Sequence, residues 1–395
     1  MECMYNYVLY SILFSLMSLI WHLRQKTSYR RSKLPPGPRG WPVVGNIFDL
    51  GALPHRGLAA LKQKYGPVVW LNLGPVKTLV ILSAGAAEEL FKNHDLSFAD
   101  RSINDSMKSH DFHKSSMALG AYSSYWRTLR RICTVELFST KRINETVFIR
   151  QKCVDKMLLW IEKEAEKGAS GGIEVLRFVF PAAFNLIGNL TLSRDLVDPY
   201  SEMASEFQTA LSGFSECLGR PNISDLFPWL RWLDLQGLRA RTERDLGKAM
   251  LIISGFLNER VKQRQQKERR ATEHKDFLDV VLDFEGSGKD EQAQLSYHQI
   301  TIFLMEMFMA GTETTSATIE WAMICPGVPL SHRMLPLILG SLLHHFDWKL
   351  VEKNSGEIKI DMAETMGLAA KKLKPLKAVP KRLTTVSSIN LTEKN

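Results

Sequence analysis

The sequence predicts a mostly α-helical protein with a minor β-sheet, and three observations carry that expectation. Helical periodicity dominates from residue 84 onward, while only residues 68–73 and 76–82 read as strands. The 395 residues are also ordinary globular in composition, 45% hydrophobic and 24% charged, so a core of normal size is possible. That composition excludes a disordered, collagenous or low-complexity chain.

From Tyr5 to Leu23 there is no Asp, Glu, Lys or Arg. Nineteen such residues rise about 28 Å as a helix, close to the thickness of a bilayer's hydrocarbon core. No basic segment precedes the stretch and no A-x-A site follows it, so residues 1–23 read as a single-pass, uncleaved membrane anchor rather than a signal peptide. Arg24, Lys26, Arg30, Arg31 and Lys33 follow without an acid, which keeps this end on the cytoplasmic side. Residues 24–42 form a basic, proline-rich linker, because the prolines of Leu34-Pro35-Pro36-Gly37-Pro38-Arg39-Gly40-Trp41-Pro42 favour a stiff, extended connector.

Beyond the linker, residues 57–65 read as a helix, and Gly74-Pro75 joins the two strands as a hairpin. Segments 84–93, 122–137, 140–166, 175–193, 199–217, 240–265 and 275–283 have helical spacing. The polar stretches 263–276 and 285–294 read as solvated loops or helix ends, and no internal repeat is visible.

The formal net charge of +9 is unevenly placed: residues 24–33 contribute +5 and residues 365–395 contribute +6. The rest of the chain is slightly acidic, which argues against a nucleic-acid partner. Five cysteines (Cys3, Cys133, Cys153, Cys217, Cys325) are scattered and form no C-x-x-C pair, which fits a reducing compartment rather than a disulfide framework or a structural zinc site. His110, His113 and the adjacent His344 and His345 lack other clustered ligands and read as structural or surface residues. Sequons begin at Asn104, Asn144, Asn189, Asn222 and Asn390, and a cytoplasmic body leaves them unglycosylated.

The most informative helix begins near Ser296, which has capping-box spacing to Gln299 ahead of Ile300, Ile302, Phe303, Leu304, Met307 and Phe308. The pattern is apolar almost all round, as for a helix through a core, and runs towards Met323. In its middle lies Ala310-Gly311-Thr312-Glu313-Thr314-Thr315. A helical glycine costs about 1 kcal/mol, and threonine hydroxyls bond back to earlier carbonyls and bend a helix. A distortion, a carboxylate and hydroxyls inside a buried helix fit a functional site, and equally a small-residue helix crossing with satisfied hydroxyls.

Next come Ile324-Cys325-Pro326-Gly327-Val328-Pro329 and the amphipathic run 330–345, with Pro329 suited to a first helical turn. Cys325 then precedes a helix amino terminus, where the dipole and free N–H groups favour thiolate over thiol. Metal ligand, nucleophile and small buried hydrophobe all remain open for it.

Taken together, these segments resemble the cytochrome P450 family of haem-thiolate monooxygenases, and more narrowly its plant microsomal, terpenoid-oxidising branch. The resemblance runs from residue 34 to about 383. It rests on Leu34-Pro-Pro-Gly-Pro-Arg39, Phe98-Ala-Asp-Arg101, Trp126-Arg-Thr-Leu-Arg130, Ala310-Gly-Thr-Glu-Thr314 and Ile324-Cys-Pro-Gly327, in that order. It implies a P450-like fold with residues 43–395 as the catalytic domain. Cys325 would be the axial thiolate of haem b iron, with Gly327 the other match in the cysteine loop. Glu313 and Thr314 would be the acid–alcohol pair that guides protons to iron-bound dioxygen, while Ala310 and Gly311 leave it room. Trp126 and Arg130, one helical turn apart, would bind a haem propionate. Electrons would come from NADPH through a membrane-bound reductase, and the body would lie on the cytoplasmic face of the endoplasmic reticulum. The substrate would be a small hydrophobic plant metabolite, in a pocket lined by residues 102–120, the Phe303 to Thr314 helix face and Met366-Gly367-Leu368. Leu226-Phe227-Pro228-Trp229-Leu230-Arg231-Trp232 resembles a membrane-touching loop of the family and is equally compatible with a buried aromatic turn.

One departure from the family pattern is large. Members carry a long segment between the oxygen-activating helix and the cysteine loop, whereas here Met323 runs straight into Ile324-Cys325, a deletion at about 323/324. In the loop pattern Phe-x-x-Gly-x-Arg-x-Cys-x-Gly, the Phe, Gly and Arg positions hold Thr318, Trp321 and Met323. The sole Glu-x-x-Arg, Glu174 to Arg177, lies far upstream and reads as coincidence. Eleven residues separate Thr314 from Cys325, about 36 Å fully extended, and several belong to the helix. Reaching round the macrocycle demands unwinding of the helix end, so haem binding is expected to be impaired. The alternatives are a non-catalytic membrane-bound isoform or truncated gene product that does not hold haem and, apart from the resemblance, an anchored binding protein for apolar ligands.

Overall fold

The structure, a computed structural model, describes residues 14–15, 17, 34–51, 53–167, 172–267, 276–286, 294–322, 334–350, 362–366 and 370–383. The expected anchor lies almost wholly outside them; among the described residues no helix is long and apolar enough to cross a membrane. The chain divides into two compact units: Met1–Ala99 with Ile223–Leu235, and Asp100–Asn222 with Gln236–Asn395.

In the first unit the proline-rich linker is docked rather than free. Pro36 accepts the Trp70 N–H at 2.9 Å, and a Cβ on Gly37 would stand 1.9 Å from the Trp70 carbonyl oxygen, so only glycine fits. Helix α1 (Pro54–Tyr65) starts with proline at its first position, where no N–H is needed, and ends at Gly66 with φ 92°. Strands β1 (Val68–Leu73) and β2 (Val76–Ile81) pair antiparallel from Val68↔Ile81 to Leu73↔Val76, as the sequence predicts, with Gly74 at φ 59° in the turn. Helix α2 (Ala84–Asn93) is capped by Ser83, whose Oγ accepts the Ala86 N–H. The helical turns Ile223–Leu226 and Pro228–Leu233 complete the unit. There Trp229 is 61% and Trp232 79% exposed, so this segment is not a buried aromatic turn.

The second unit holds the main core. Helix α3 (Ser124–Glu136) is capped by Ser123. The helix expected over 140–166 is broken at Thr146, separating Thr140–Glu145 from α4 (Val147–Glu166). Thr146 turns its hydroxyl onto the Arg142 carbonyl at 2.8 Å and leaves the helical region at φ −99°, ψ 14°. After β3 (Ile173–Glu174) comes α5 (Leu176–Leu192), buried along most of its length. Then follow α6 (Glu202–Gly219), α7 (Leu238–Lys267), α8 (Phe277–Leu282), α9 (Tyr297–Ala322) and α10 (Met334–His345). With β3, the strands β4 (Phe346–Leu350), β5 (Glu364–Met366), β6 (Ala370–Lys372) and β7 (Lys377–Arg382) make a three-stranded antiparallel sheet ordered β3-β7-β4 and a two-stranded β5-β6 pair.

The core closes where α5, α6 and α9 meet. Phe184 lies 4.6 Å from Phe308 and 4.9 Å from Phe207 between ring centroids, each such pair contributing about 1 kcal/mol beyond its buried area. Buried Asn185 fastens the chain after α5: its amide donates to the Val197 carbonyl and its oxygen accepts the Leu196 and Val197 N–H groups. A second cluster, including Met157, Ile161, Phe178, Ile319, Ile338 and Leu342, packs α4, α5, the end of α9 and α10 together.

Candidate functional site

The site is organised by α9. Its capping box forms as the spacing predicts: Gln299 N–H donates to Ser296 Oγ at 3.2 Å and Ser296 N–H to Gln299 Oε1 at 2.8 Å. Every side chain from Ile300 to Met309 is buried. The helix then opens along one stripe: Ala310, Thr314 and Thr318, spaced four residues apart, are exposed, while Thr312, Ser316 and Ile319 stay buried. The hydroxyls fold back on their own helix. Thr314 donates to the Ala310 carbonyl at 2.6 Å, Thr318 to the Thr314 carbonyl at 2.7 Å, and Thr312 to the Phe308 carbonyl.

Gly311 has a packing reason of its own. A Cβ there would stand 2.5 Å from Cδ1 of Ile187 on α5, so the glycine lets the two helices approach. Glu313 does not point along the open stripe unaccompanied: its Oε1 lies 3.2 Å from the Lys371 ammonium on β6, and both side chains are partly buried. Sequence reasoning missed Lys371, because its strand partner and its target lie far apart in the chain.

Trp126 and Arg130 sit on α3. The Trp126 indole N–H donates to the Met117 carbonyl at 2.8 Å, and the Arg130 guanidinium lies 5.5 Å from the indole ring, a cation–π contact. Arg130 is exposed. Cys133, one turn further along α3, places its sulfur 3.8 Å from that of Met307, one turn before Ala310 and Gly311 on α9. The two segments assigned to a haem by resemblance therefore lie on adjoining helices.

An open small-residue stripe on α9, with an exposed cation on the adjoining helix, suits the flat face and anionic edge of a haem. The indole N–H, already satisfied by Met117, is engaged elsewhere in this structure. Cys325 and Gly327 lie outside the described residues, as do Gly367 and Leu368. The three described cysteines are buried: burial pushes the Cys133 thiol up to about 12 and the Cys153 thiol up to about 11, and raises that of Cys217. They are held as thiols, the opposite of what an iron ligand needs. Among the described residues no three of His, Cys, Asp and Glu gather as a metal site. His110 Nε2 contacts the Glu243 carbonyl, His113 Nδ1 the Met107 carbonyl and His345 Nδ1 the Ser341 carbonyl.

A second residue escaped the sequence reading. Glu306, 2% exposed, accepts hydrogen bonds from the Ser116 hydroxyl, the Met117 N–H at 2.7 Å and the Ala118 N–H at 3.2 Å. Burial pushes its carboxyl up to about 6, against the three donors that favour the carboxylate. A lone acid in the apolar run Leu304-Met305-Glu306-Met307-Phe308 was the available signal, since an unpaired carboxylate is almost never fully buried.

Comparison with known proteins gives a consistent picture. The cytochrome P450 family model matches residues 35–324, ending at the residue before Cys325. The chain is 52% identical to Cytochrome P450 76A2 of Solanum melongena over 326 residues, covering 82% of this chain and 64% of that protein. Iridoid oxidase of Catharanthus roseus is 43% identical over 310 residues, covering 78% of this chain and 60% of that one. The chain thus spans less than two thirds of the length of either relative. Cytochrome P450 76A1 of Solanum melongena is 38% identical over 467 residues, covering 86% of this chain and 100% of that protein. That alignment is longer than the chain itself, so it can be drawn only by opening gaps in this sequence. In fold, the chain matches a zebrafish cytochrome P450 structure determined with progesterone at TM-score 0.52 and 21% identity, covering 68% of this chain and 59% of that one.

Proposed function

This chain belongs to the cytochrome P450 family, and from that premise we propose that it is a membrane-anchored haem-thiolate monooxygenase acting on a small hydrophobic, terpenoid-like plant metabolite. The observation that carries the reading is the open stripe Ala310–Thr314–Thr318 on an otherwise buried helix, next to the helix bearing exposed Arg130. Likeness to iridoid oxidase supports the substrate class. Residues 5–23 would anchor the chain in the endoplasmic reticulum membrane, and the exposed Trp229 and Trp232 are suited to lie at its surface.

Haem, when bound, supplies activation of dioxygen, with thiolate ligation favouring O–O cleavage. The chain's own groups have separate tasks. Cys325 would give the thiolate, beside Gly327. Arg130 would pair with a propionate, and Trp126 would add its indole N–H on releasing the Met117 carbonyl. Ala310 would keep a bulky side chain away from the reacting face, whereas Gly311, expected to share that task, faces Ile187 and lets α9 close on α5. Thr314, swinging its hydroxyl off the Ala310 carbonyl, and Glu313, held by Lys371, would pass protons inward from solvent. Electrons would come from NADPH through a reductase.

A second reading is favoured by one observation, the end of the family match at Ile324, just short of the cysteine. It is a non-catalytic membrane-bound isoform that does not hold haem. The reduced, carbon-monoxide difference spectrum of microsomes containing this chain separates the two. The monooxygenase reading expects a thiolate-type band that Cys325→Ser abolishes. Detectable protein with no band establishes the second reading, and a band surviving in Cys325→Ser removes Cys325 as the ligand.

A further inference from the structure

Glu306 stands about one turn before Ala310 on α9, and nothing in the proposed reaction uses it. Its three hydrogen bonds all come from one short stretch, Ser116 to Ala118. Ser116 Oγ in turn accepts the Leu119 N–H at 2.8 Å, closing that stretch into a turn. Met117 is held from both sides: its N–H donates to Glu306 Oε2 at 2.7 Å, and its carbonyl accepts the Trp126 indole N–H at 2.8 Å. Arg130 then rests over the indole ring.

We infer that Glu306 is a positioning residue for the Trp126–Arg130 edge: its carboxylate pins Met117, and Met117 sets the indole on which Arg130 lies. The inference deepens the proposed function, because it rests on that edge being where a haem propionate binds. Three converging donors explain why a carboxylate is kept in the core. An amide of the same shape would turn an N–H2 group towards one of them, and a buried donor left unsatisfied costs about 1–3 kcal/mol.

The groups around Glu306 give the clamp a distinct pH signature. Tyr125, whose hydroxyl donates to the Ser115 carbonyl, and Cys133 both feel the Glu306 charge, and burial raises both, so neither ionises near pH 6. The Arg130 charge acts on the Cys133 thiol in the opposite direction to burial and to Glu306. His113, on the Phe112–Ser115 turn, contacts the Met107 carbonyl through Nδ1 and is unchanged in every variant compared below.

The test needs no haem. The detergent-solubilised full chain is labelled with 5-fluorotryptophan, and the resonance missing in Trp126→Phe is followed by fluorine NMR between pH 5 and 7.5. The expected result is a Trp126 shift with its midpoint at about 6. It should be absent in Glu306→Gln and displaced upward in Ser116→Ala, since the lost hydrogen bond favours the carboxylate. A Trp126 resonance that is flat, or that titrates alike in Glu306→Gln, overturns the inference. If Glu306→Gln does not fold, Ser116→Ala decides: an unmoved midpoint overturns it. A chain that takes up no haem while Trp126 titrates as expected removes the haem role of this edge and leaves Glu306 as the residue that positions Trp126.

Discussion

The Lys371 ammonium lies 3.2 Å from Oε1 of Glu313, tying the β5-β6 pair to the open face of α9. Lys371 is 27% and Glu313 17% exposed at the side chain, so the pair sits between the surface and the interior. Its value lies in fixing where the Glu313 carboxylate points, because partly exposed ion pairs add little stability.

Lys371→Met and Glu313→Gln should therefore couple weakly but measurably. A double-mutant cycle by urea unfolding should return about 0.5–1 kcal/mol of interaction energy. Strict additivity would show that the two side chains do not meet in solution.

Gly311 and Ile187 should compensate each other. Gly311→Val drives two branches into a space where even one Cβ stands 2.5 Å from Ile187 Cδ1, and should cost about 2–3 kcal/mol. Ile187→Ala in the same chain should recover part of that loss, read from the thermal midpoints of the four proteins. Two independent, summed losses would mean that the glycine is not there for the α5–α9 crossing.

Glu306 should impose an unusual slope on stability. Its folded-state carboxyl is raised to about 6 from an ordinary 4.5, so the folded protein holds this proton more tightly than the unfolded chain. Its stabilising contribution is full below pH 4.5 and is lost as pH rises through about 6. The difference between the parent chain and Glu306→Gln should change by about 1.5 kcal/mol between about pH 4.5 and 6.5. Urea unfolding of both proteins at pH 4.5 and 6.5 measures it, and an unchanged difference would contradict the burial of the ionised group.

Much of this molecule was legible along the chain because the controlling interactions are local. The β1–β2 hairpin, the Ser296–Gln299 capping box and the back-bonded threonines of α9 all join residues at most 13 apart. The sheet β3-β7-β4 was not legible: its strands are short, and Ile173 pairs with Ala378 across most of the second unit. The break at Thr146 escaped periodicity for another reason, since one hydroxyl competing for a carbonyl leaves the apolar spacing unchanged.

By itself, the sequence determined the helical class, the buried character of α9, the family and the identities of the residues around Ala310 to Thr314, because hydrophobic periodicity and short motifs are properties of neighbours. Only the tertiary structure decided that Glu306 holds Ser116 to Ala118, that Met117 occupies the Trp126 indole and that Lys371 meets Glu313. Hydrogen bonds and ion pairs act over a few ångströms in space, whatever the distance along the chain, and their partners exist only once the chain has closed.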